Sequence, residues 1–226
     1  MKGWHGESHR HSLAARGIRT RAVLDPRTRK PIDIKPTRIR RYVEKISHLG
    51  RMLNKGIVSE TGYGCPLASK DRYYGGLTTG GNLGDAFGNI VITFDVDRML
   101  ELNDLMYVEY TEEFEEEFPD IYDLVRGNTE VDNIKDAACE CEMYSTRPIR
   151  FTPDAIKSIE IRLGDLKPTM FEDKVMDAST SLVVDKKDPN KWDKIVERIK
   201  KDIKLEVPSE YHSKITIDVP NWTVVD

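Results

Sequence analysis

The sequence has no glutamine and only three cysteines, and none of its apolar runs approaches the length of a membrane span. A helix that crosses a bilayer needs about 20 apolar residues, so we expect no transmembrane segment. The first residues contain no apolar stretch, so we also expect no secretory signal. Cys65, Cys139 and Cys141 are too few for a disulfide framework, which predicts reduced thiols in a cytoplasmic protein.

The sequence is rich in charged residues. Of its 226 residues, 33% are Asp, Glu, Lys or Arg, and the formal net charge is -4. Residues 1–75 hold 17 basic and 6 acidic side chains, whereas the remainder holds 18 basic and 33 acidic ones. The many Glu and Lys residues, with no glutamine, fit a thermophilic source. The positive first third is either a docking surface for a polyanion or the partner of the acidic remainder within one fold.

The periodicity of apolar residues predicts an α+β fold. Apolar residues recur at helical spacing in residues 37–55, which predicts one amphipathic helix with a basic polar face. A second helix is predicted near the C-terminus, after a loop, with Asp188 as N-cap and Pro189 in the first turn. Residues 56–89 hold nine of the 15 glycines, which predicts loops that a ligand can approach closely. Strands are predicted at residues 89–96, 105–110, 138–144, 149–151, 158–163, 214–219 and 222–225.

One predicted strand carries two carboxylates on one side. Small or apolar residues alternate with glutamates from Cys139 to Met143. The side with Cys139 and Cys141 is predicted to be core, which argues against a metal site there. The other side holds Glu140 and Glu142 about 7 Å apart. In a cleft they could act as an acid and an anion side by side, whereas on an open surface they are a solvated strand face.

The N-terminal segment combines three histidines with a glycine. His5 and Gly6 offer a side-chain hydrogen bond beside backbone that a ligand can approach closely. His9 and His11 would lie about 200° apart around a helix, so the three histidines cannot close around one ion. We therefore predict no bound metal, and a metal-dependent hydrolase that uses these histidines is the weakest functional alternative.

Taken in chain order, these segments resemble the ADP-ribosyltransferase-like fold. The resemblance covers residues 2–163 and implies an α+β fold with a split pair of small antiparallel sheets around a cleft. Residues 1–165 would form this core, with a basic insertion at residues 20–72, and residues 166–226 a C-terminal helix-strand extension. The matching segments are Trp4-His5-Gly6-Glu7-Ser8, Arg16-Gly17-Ile18, Leu77-Thr78-Thr79, residues 91–100, Glu140-x-Glu142 and residues 149–161.

The resemblance implies that the cleft binds NAD as a substrate. Its implied parts are a histidine at the ribose, backbone groups at the carboxamide, an aromatic wall for nicotinamide, a hydroxyl in the middle of the family's triad, and a catalytic carboxylate. A fixed carboxylate would stabilise the oxocarbenium-like state that forms as nicotinamide leaves. In this sequence the histidine would be His5, and the backbone groups would belong to Gly6. Tyr73 and Tyr74 would form the aromatic wall, and Thr78 or Thr79 would supply the hydroxyl. The catalytic carboxylate would be Glu140 or Glu142.

We therefore expect an NAD-using transferase that places ADP-ribose, or a related group, on a macromolecular target, with nucleic acid as the natural polyanion. The alternative is a nucleic-acid-binding or assembly protein without catalysis on a degenerate version of the fold. Both hypotheses use the basic segment 20–55 for docking, although its charges could equally be the solvated face of a helix. The candidate contacts are Lys35, Arg38, Arg40, Arg41, Lys45, Arg51 and Lys55.

Overall fold

The described part of the chain is an α+β structure built on one mixed β-sheet. The computed structural model describes residues 22–24, 30–32, 35–58, 74–79, 88–107, 142–145, 147–163 and 174–219. Its helices are α1 (Ile46–Lys55), α2 (Val96–Leu102) and α3 (Lys191–Glu206), with short 3₁₀ helices at Pro153–Ala155 and Ser209–Lys214. Its strands are β1 (Val23–Leu24), β2 (Pro31–Ile32), β3 (Ile39–Val43), β4 (Tyr74–Thr78), β5 (Ile90–Phe94), β6 (Met106–Tyr107), β7 (Glu142–Ser145), β8 (Ile156–Arg162), β9 (Lys174–Asp177), β10 (Leu182–Asp185) and β11 (Ile215–Asp218).

Within the described residues, nine strands hydrogen-bond in the order β11-β8-β5-β3-β4-β7-β6-β1-β2. The pairs β1·β6 and β8·β11 are parallel, and the other neighbours are antiparallel. Strands β9 and β10 form a separate antiparallel hairpin. The resemblance implied two small sheets around a cleft. The structure differs because β4 pairs with both β3 and β7, which joins the two groups of strands into one sheet.

Side chains alternate between the two sides of this sheet, as strand geometry requires. Ile90, Ile92 and Phe94 of β5 are buried in one hydrophobic cluster with residues of α1 and α3. We call this the core side. Thr93 of β5 lies on the opposite side, which we call the polar side. Helices α1 and α3 therefore cover the core side. The polar side is also partly withdrawn from solvent, since Val91 of β5, on that side, is 1% exposed.

The single helix predicted for residues 37–55 is wrong in its first half. Residues 39–43 form β3, and the helix begins only at Ile46. Along β3, Ile39, Arg41 and Val43 are buried, while Arg40 and Tyr42 are half-buried. The period is therefore two, and a buried arginine in an apolar position hides it from the sequence.

Gly50 sets how closely α1 and α3 approach. A Cβ atom built on Gly50 would lie 2.1 Å from the backbone oxygen of Glu206, at the end of α3. No real Cβ contact is that short, so only glycine permits this contact between helix backbones. The contact brings Ile195, Ile199 and Ile203 of α3 into the cluster with α1.

Some of the other secondary-structure predictions are confirmed, and others are wrong or lie outside the described residues. Strands β5, β8 and β11 and the C-terminal helix are confirmed. The strand predicted at residues 149–151 is wrong, because Ile149 makes only an isolated bridge to Ile57. Helix α3 begins at Lys191 with Asn190 as its N-cap, two residues after the predicted Asp188. The hairpin β9–β10 was predicted as loop, whereas residues 108–110, 138–141 and 222–225 lie outside the described residues.

Candidate functional site

A row of polar residues crosses the polar side of the sheet through five neighbouring strands. The register pairs Arg40 of β3 with Thr78 of β4 and with Thr93 of β5. Thr93 pairs with Ser158 of β8, and Thr78 pairs with Glu142 of β7. Directly paired residues of antiparallel strands share one side of a sheet, about 4.5 to 5.5 Å apart. We call these five positions, 142, 78, 40, 93 and 158, the polar row.

The centre of the row is largely withdrawn from solvent. Thr78 is 6% exposed, and the next residue, Thr79, is fully buried. Arg38 Nε donates a hydrogen bond of 2.8 Å to the carbonyl oxygen of Thr79. Arg40, Thr93 and Ser158 are half-buried. A ligand on this row would therefore meet a guanidinium and hydroxyl groups in a partly dry environment, where electrostatic contacts are stronger than in water.

A bulge in β4 makes room for a buried arginine of β3. Between Tyr74 and Leu77 the register with β7 shifts. Gly76 there has φ +83°, and a Cβ on it would lie 2.3 Å from Arg41 Nη1. The same Nη1 donates a hydrogen bond of 2.8 Å to the Gly75 carbonyl. Gly76 thus leaves room for the buried Arg41, whose hydrogen bond to the Gly75 carbonyl ties β3 to β4 from the core side.

The structure brings together some of the residues predicted for NAD. The strand register pairs Thr78 of β4 with Glu142 of β7. Tyr74 lies in β4, where its backbone pairs with Ser145. Four of the predicted site residues, His5, Gly6, Tyr73 and Glu140, lie outside the described residues.

The basic residues predicted for docking do not form one surface. Arg41 is 5% exposed and sits on the core side, so it is not a docking residue. Arg40 is on the polar side, and Arg38 is held by Thr79. Lys35 forms an ion pair of 2.6 Å with Asp97 at the start of α2. The three remaining residues, Lys45, Arg51 and Lys55, belong to α1 or to its N-cap, on the helix-covered side of the sheet.

The α1 group is electrostatically distinct. We call Lys45, Arg51 and Lys55 the α1 basic group, and His48 lies among them. The pKa of His48 is lowered from its usual value by burial first, and then by the charges of Arg51 and Lys45. The part of this lowering that comes from Arg51 and Lys45 reflects a locally positive potential. That potential favours an anionic partner at α1.

Sequence reasoning missed two members of the row and predicted a different role for a third. Thr93 and Ser158 were not predicted as site residues, although each lies in a correctly predicted strand. Arg40 was predicted for nucleic acid, because the helix prediction concealed its pairing with Thr78 and Thr93. The alternation of Ile92, Thr93 and Phe94 was a usable signal for Thr93. Which strands lie side by side was not visible in any local pattern.

No cluster of three or more potential metal ligands occurs among the described residues. None of the helices in the described part of the chain is long and apolar enough to cross a membrane.

Comparisons with protein-family models, with curated proteins and with solved structures returned no match for this chain. The features of this chain that bear on function are therefore the polar row, the charges and the sequence motifs.

Proposed function

We propose that the protein is an NAD-using transferase whose substrate lies across the polar row. The observation that carries this proposal is the register between β4 and β7, which pairs Thr78 with Glu142. The motif resemblance assigns a hydroxyl residue and a catalytic glutamate to neighbouring places in one cleft. The sequence separation of these two residues is large, so their pairing is a property of the fold and not of local sequence.

The proposed reaction breaks the bond between nicotinamide and its ribose. Nicotinamide leaves with the bonding electrons as a neutral molecule, and positive charge develops on the ribose. The carboxylate of Glu142 stabilises that charge. A nucleophile of the acceptor then forms a bond to the same carbon and loses its proton. By the resemblance, Glu140 is the other candidate for this carboxylate, and His5 would orient the ribose.

Arg40 gives the row a group for the phosphates of the substrate. Its guanidinium is permanently charged and is planar, which suits bidentate contacts to phosphate oxygens. It is paired with Thr78, so phosphates bound at Arg40 would place the adjoining ribose near Thr78 and Glu142. The relation to the ADP-ribosyltransferase-like fold is part of this proposal.

Nicotinamide release tests the proposal. The protein is incubated with labelled NAD, alone and with RNA, DNA or protein acceptors. We expect release by the wild type, with a loss of about 100-fold or more in either Glu142→Gln or Glu140→Gln. Thr78→Val and His5→Ala are expected to lower it as well. Glu197→Gln is the matched control, because Glu197 lies on α3, on the helix-covered side of the sheet, and pairs with Lys200 at 2.9 Å.

Two results would contradict the transferase. One is the absence of nicotinamide release by the wild type with every acceptor. The other is release at the wild-type rate by both glutamate variants.

A second function, nucleic-acid binding without catalysis, has its own observation. The α1 basic group runs along the helix, with Lys45 at its N-cap and the exposed side chains of Arg51 and Lys55 further on, on the helix-covered side of the sheet. Such a group suits the phosphates of a nucleic acid, and binding through it would weaken as salt is added. This function needs neither Thr78 nor Glu142. It also fits the transferase, for which the α1 basic group would hold the acceptor.

A further inference from the structure

Asn89, immediately before β5, is buried with its amide unsatisfied. The residue is 4% exposed, and neither its Nδ2 nor its Oδ1 has a hydrogen-bond partner among the described residues. Buried polar groups are nearly always paired, because removing them from water without a partner is costly. The amide of Asn89 is therefore a feature that needs an explanation.

The backbone around Asn89 is held on both sides. Its carbonyl oxygen accepts a hydrogen bond of 2.9 Å from Arg162 N on β8. The preceding Gly88 has φ +123°, and a Cβ there would lie 2.4 Å from the Val43 oxygen on β3. The backbone of this segment is therefore in close contact with both β3 and β8.

Asn103 shows how this chain satisfies an asparagine used for structure. Its Nδ2 donates to the carbonyl oxygens of Arg150, at 2.7 Å, and Met99, at 3.1 Å. Its Oδ1 accepts from Arg150 N at 2.7 Å. That amide braces the end of α2 against a neighbouring segment. The amide of Asn89 makes no equivalent contact with the described residues.

The position of Asn89 connects it to the proposed substrate site. Strand alternation places Asn89 on the same side as Val91 and Thr93, and Thr93 belongs to the polar row. Four residues along a strand span about 13 Å, so Asn89 lies about that far from the row. A ligand that contacts both must be elongated and must carry different groups at its two ends.

We propose that Asn89 binds the planar edge of a ligand in which a hydrogen-bond donor lies beside an acceptor. An amide offers one donor and one acceptor in a plane, so such an edge satisfies Nδ2 and Oδ1 together. Adenine has this edge at N6 and N7, and a carboxamide has it too. A phosphate or carboxylate would satisfy Nδ2 but would face Oδ1 with another acceptor. The inference rests on the proposed function in one respect: NAD carries both of these edges.

The test replaces the amide with an apolar side chain of similar size. In Asn89→Leu, we expect the ligand-free protein to unfold at the same temperature as the wild type or at a higher one, since an unpaired buried amide is removed. Its affinity for the ligand is expected to fall about 10- to 100-fold, the usual effect of losing a bidentate contact. The probes are AMP and nicotinamide, each added alone, with binding measured by calorimetry.

Asn103→Leu is the matched control. It removes three hydrogen bonds, so its unfolding temperature is expected to fall while its affinity for both probes stays at the wild-type value. A weakened AMP affinity in Asn89→Leu assigns the adenine edge to Asn89, and a weakened nicotinamide affinity assigns the carboxamide. The proposal is overturned if the wild type binds neither probe, or if Asn89→Leu binds both probes as the wild type does.

These outcomes are separate from those of the transferase. If AMP binding depends on Asn89 but no nicotinamide is released from NAD, the Asn89 site stands and the transferase fails. If nicotinamide is released and Asn89→Leu leaves the KM for NAD unchanged, the transferase stands and the Asn89 site fails.

Discussion

Asp95 joins β5 to α2 and decides where one ends and the other begins. Its carboxylate accepts a hydrogen bond of 3.0 Å from Arg98 N, inside the first turn of α2. Its own backbone N–H donates to the Ala155 oxygen at 2.8 Å. One residue thus ends a strand, caps a helix and ties both to the segment before β8. The pKa of this carboxyl group is lowered chiefly by the Arg98 backbone hydrogen bond and also by the charge of Lys157.

Replacing Asp95 should cost stability in a pH-dependent way. A carboxyl group whose pKa is lower in the folded than in the unfolded state adds stability above the unfolded value, near 3.9, and loses it as the pH falls through the folded value. We expect Asp95→Ala to lower the free energy of unfolding by about 1 kcal/mol at pH 7. The gap to the wild type should shrink below about pH 4.

Urea unfolding at pH 7 and at pH 3 measures this difference. Asp95→Asn is the control, because asparagine caps helices as well as aspartate does but does not titrate. Equal gaps at the two pH values would show that the carboxylate charge does not contribute.

At the scale of elements, the hairpin β9–β10 is held by its own turn and by α1. Asp177 is fully buried, and its carboxylate accepts hydrogen bonds from the backbone and the hydroxyl of Ser179 and of Thr180. Ser181 completes the turn with φ +60°. The carbonyl of Ser179 in turn accepts from Ile46 N, the first residue of α1. A turn without an Asn-Gly or Asp-Gly pair is thereby built from side-chain hydrogen bonds.

The contact between α1 and α3 depends on a single glycine. We expect Gly50→Ala to lower the free energy of unfolding, because the new methyl group meets the Glu206 backbone at 2.1 Å and neither helix can yield locally. Overpacking of this kind costs about 1–3 kcal/mol, against a gain of about 1 kcal/mol from the higher helix propensity of alanine. Chemical denaturation measures the net loss.

The control is Arg51→Ala on the same helix. Arg51 is exposed, so this variant should unfold within about 0.5 kcal/mol of the wild type. A Gly50→Ala protein as stable as that control would mean that the two helices can separate freely.

At the scale of the whole molecule, the sheet separates two positively charged regions. Arg38 and Arg40 are tied to the strand bearing Thr78 and Thr79, while the α1 basic group lies with the helices that cover the core side. The sheet stands between them, so a small ligand cannot contact both. The proposed chemistry of the polar row and the proposed docking of a polyanion would therefore use different sides of the sheet.

This separation can be measured with two double variants. We expect Lys45→Ala with Arg51→Ala to reduce the salt dependence of nucleic-acid binding by a slope of about 2, with NAD affinity unchanged. Arg38→Ala with Arg40→Ala should weaken NAD binding and leave that slope in place. Titrations across a range of salt concentrations give both quantities. A similar fall of slope in both variants would mean that nucleic acid contacts both sides of the sheet.

The sequence by itself determined the class of fold, several elements and the chemistry available to them. Strand β5 and helix α3 follow from runs whose apolar period is unambiguous, and Leu77-Thr78-Thr79 and Glu142 could be named as site candidates from their motifs. The boundary at Ile46 could not be predicted, because Arg41 is buried by a partner, Gly75, that lies far along the chain. A local pattern cannot reveal a partner that only folding supplies.

Tertiary structure alone decided which residues meet. The pairing of Thr78 with Arg40 and Glu142 depends on the strand order β3-β4-β7, which no local periodicity contains. Burial of Asn89 and the approach of α1 to α3 at Gly50 are likewise fixed by long-range packing. Short-range hydrophobic periodicity selects helices and strands, but the register of strands and the fit of helices depend on contacts between residues distant in sequence. For this reason the amino-acid sequence supplied Thr78 and Glu142 as site candidates, and only the folded sheet placed Arg40, Thr93 and Ser158 in one row with them.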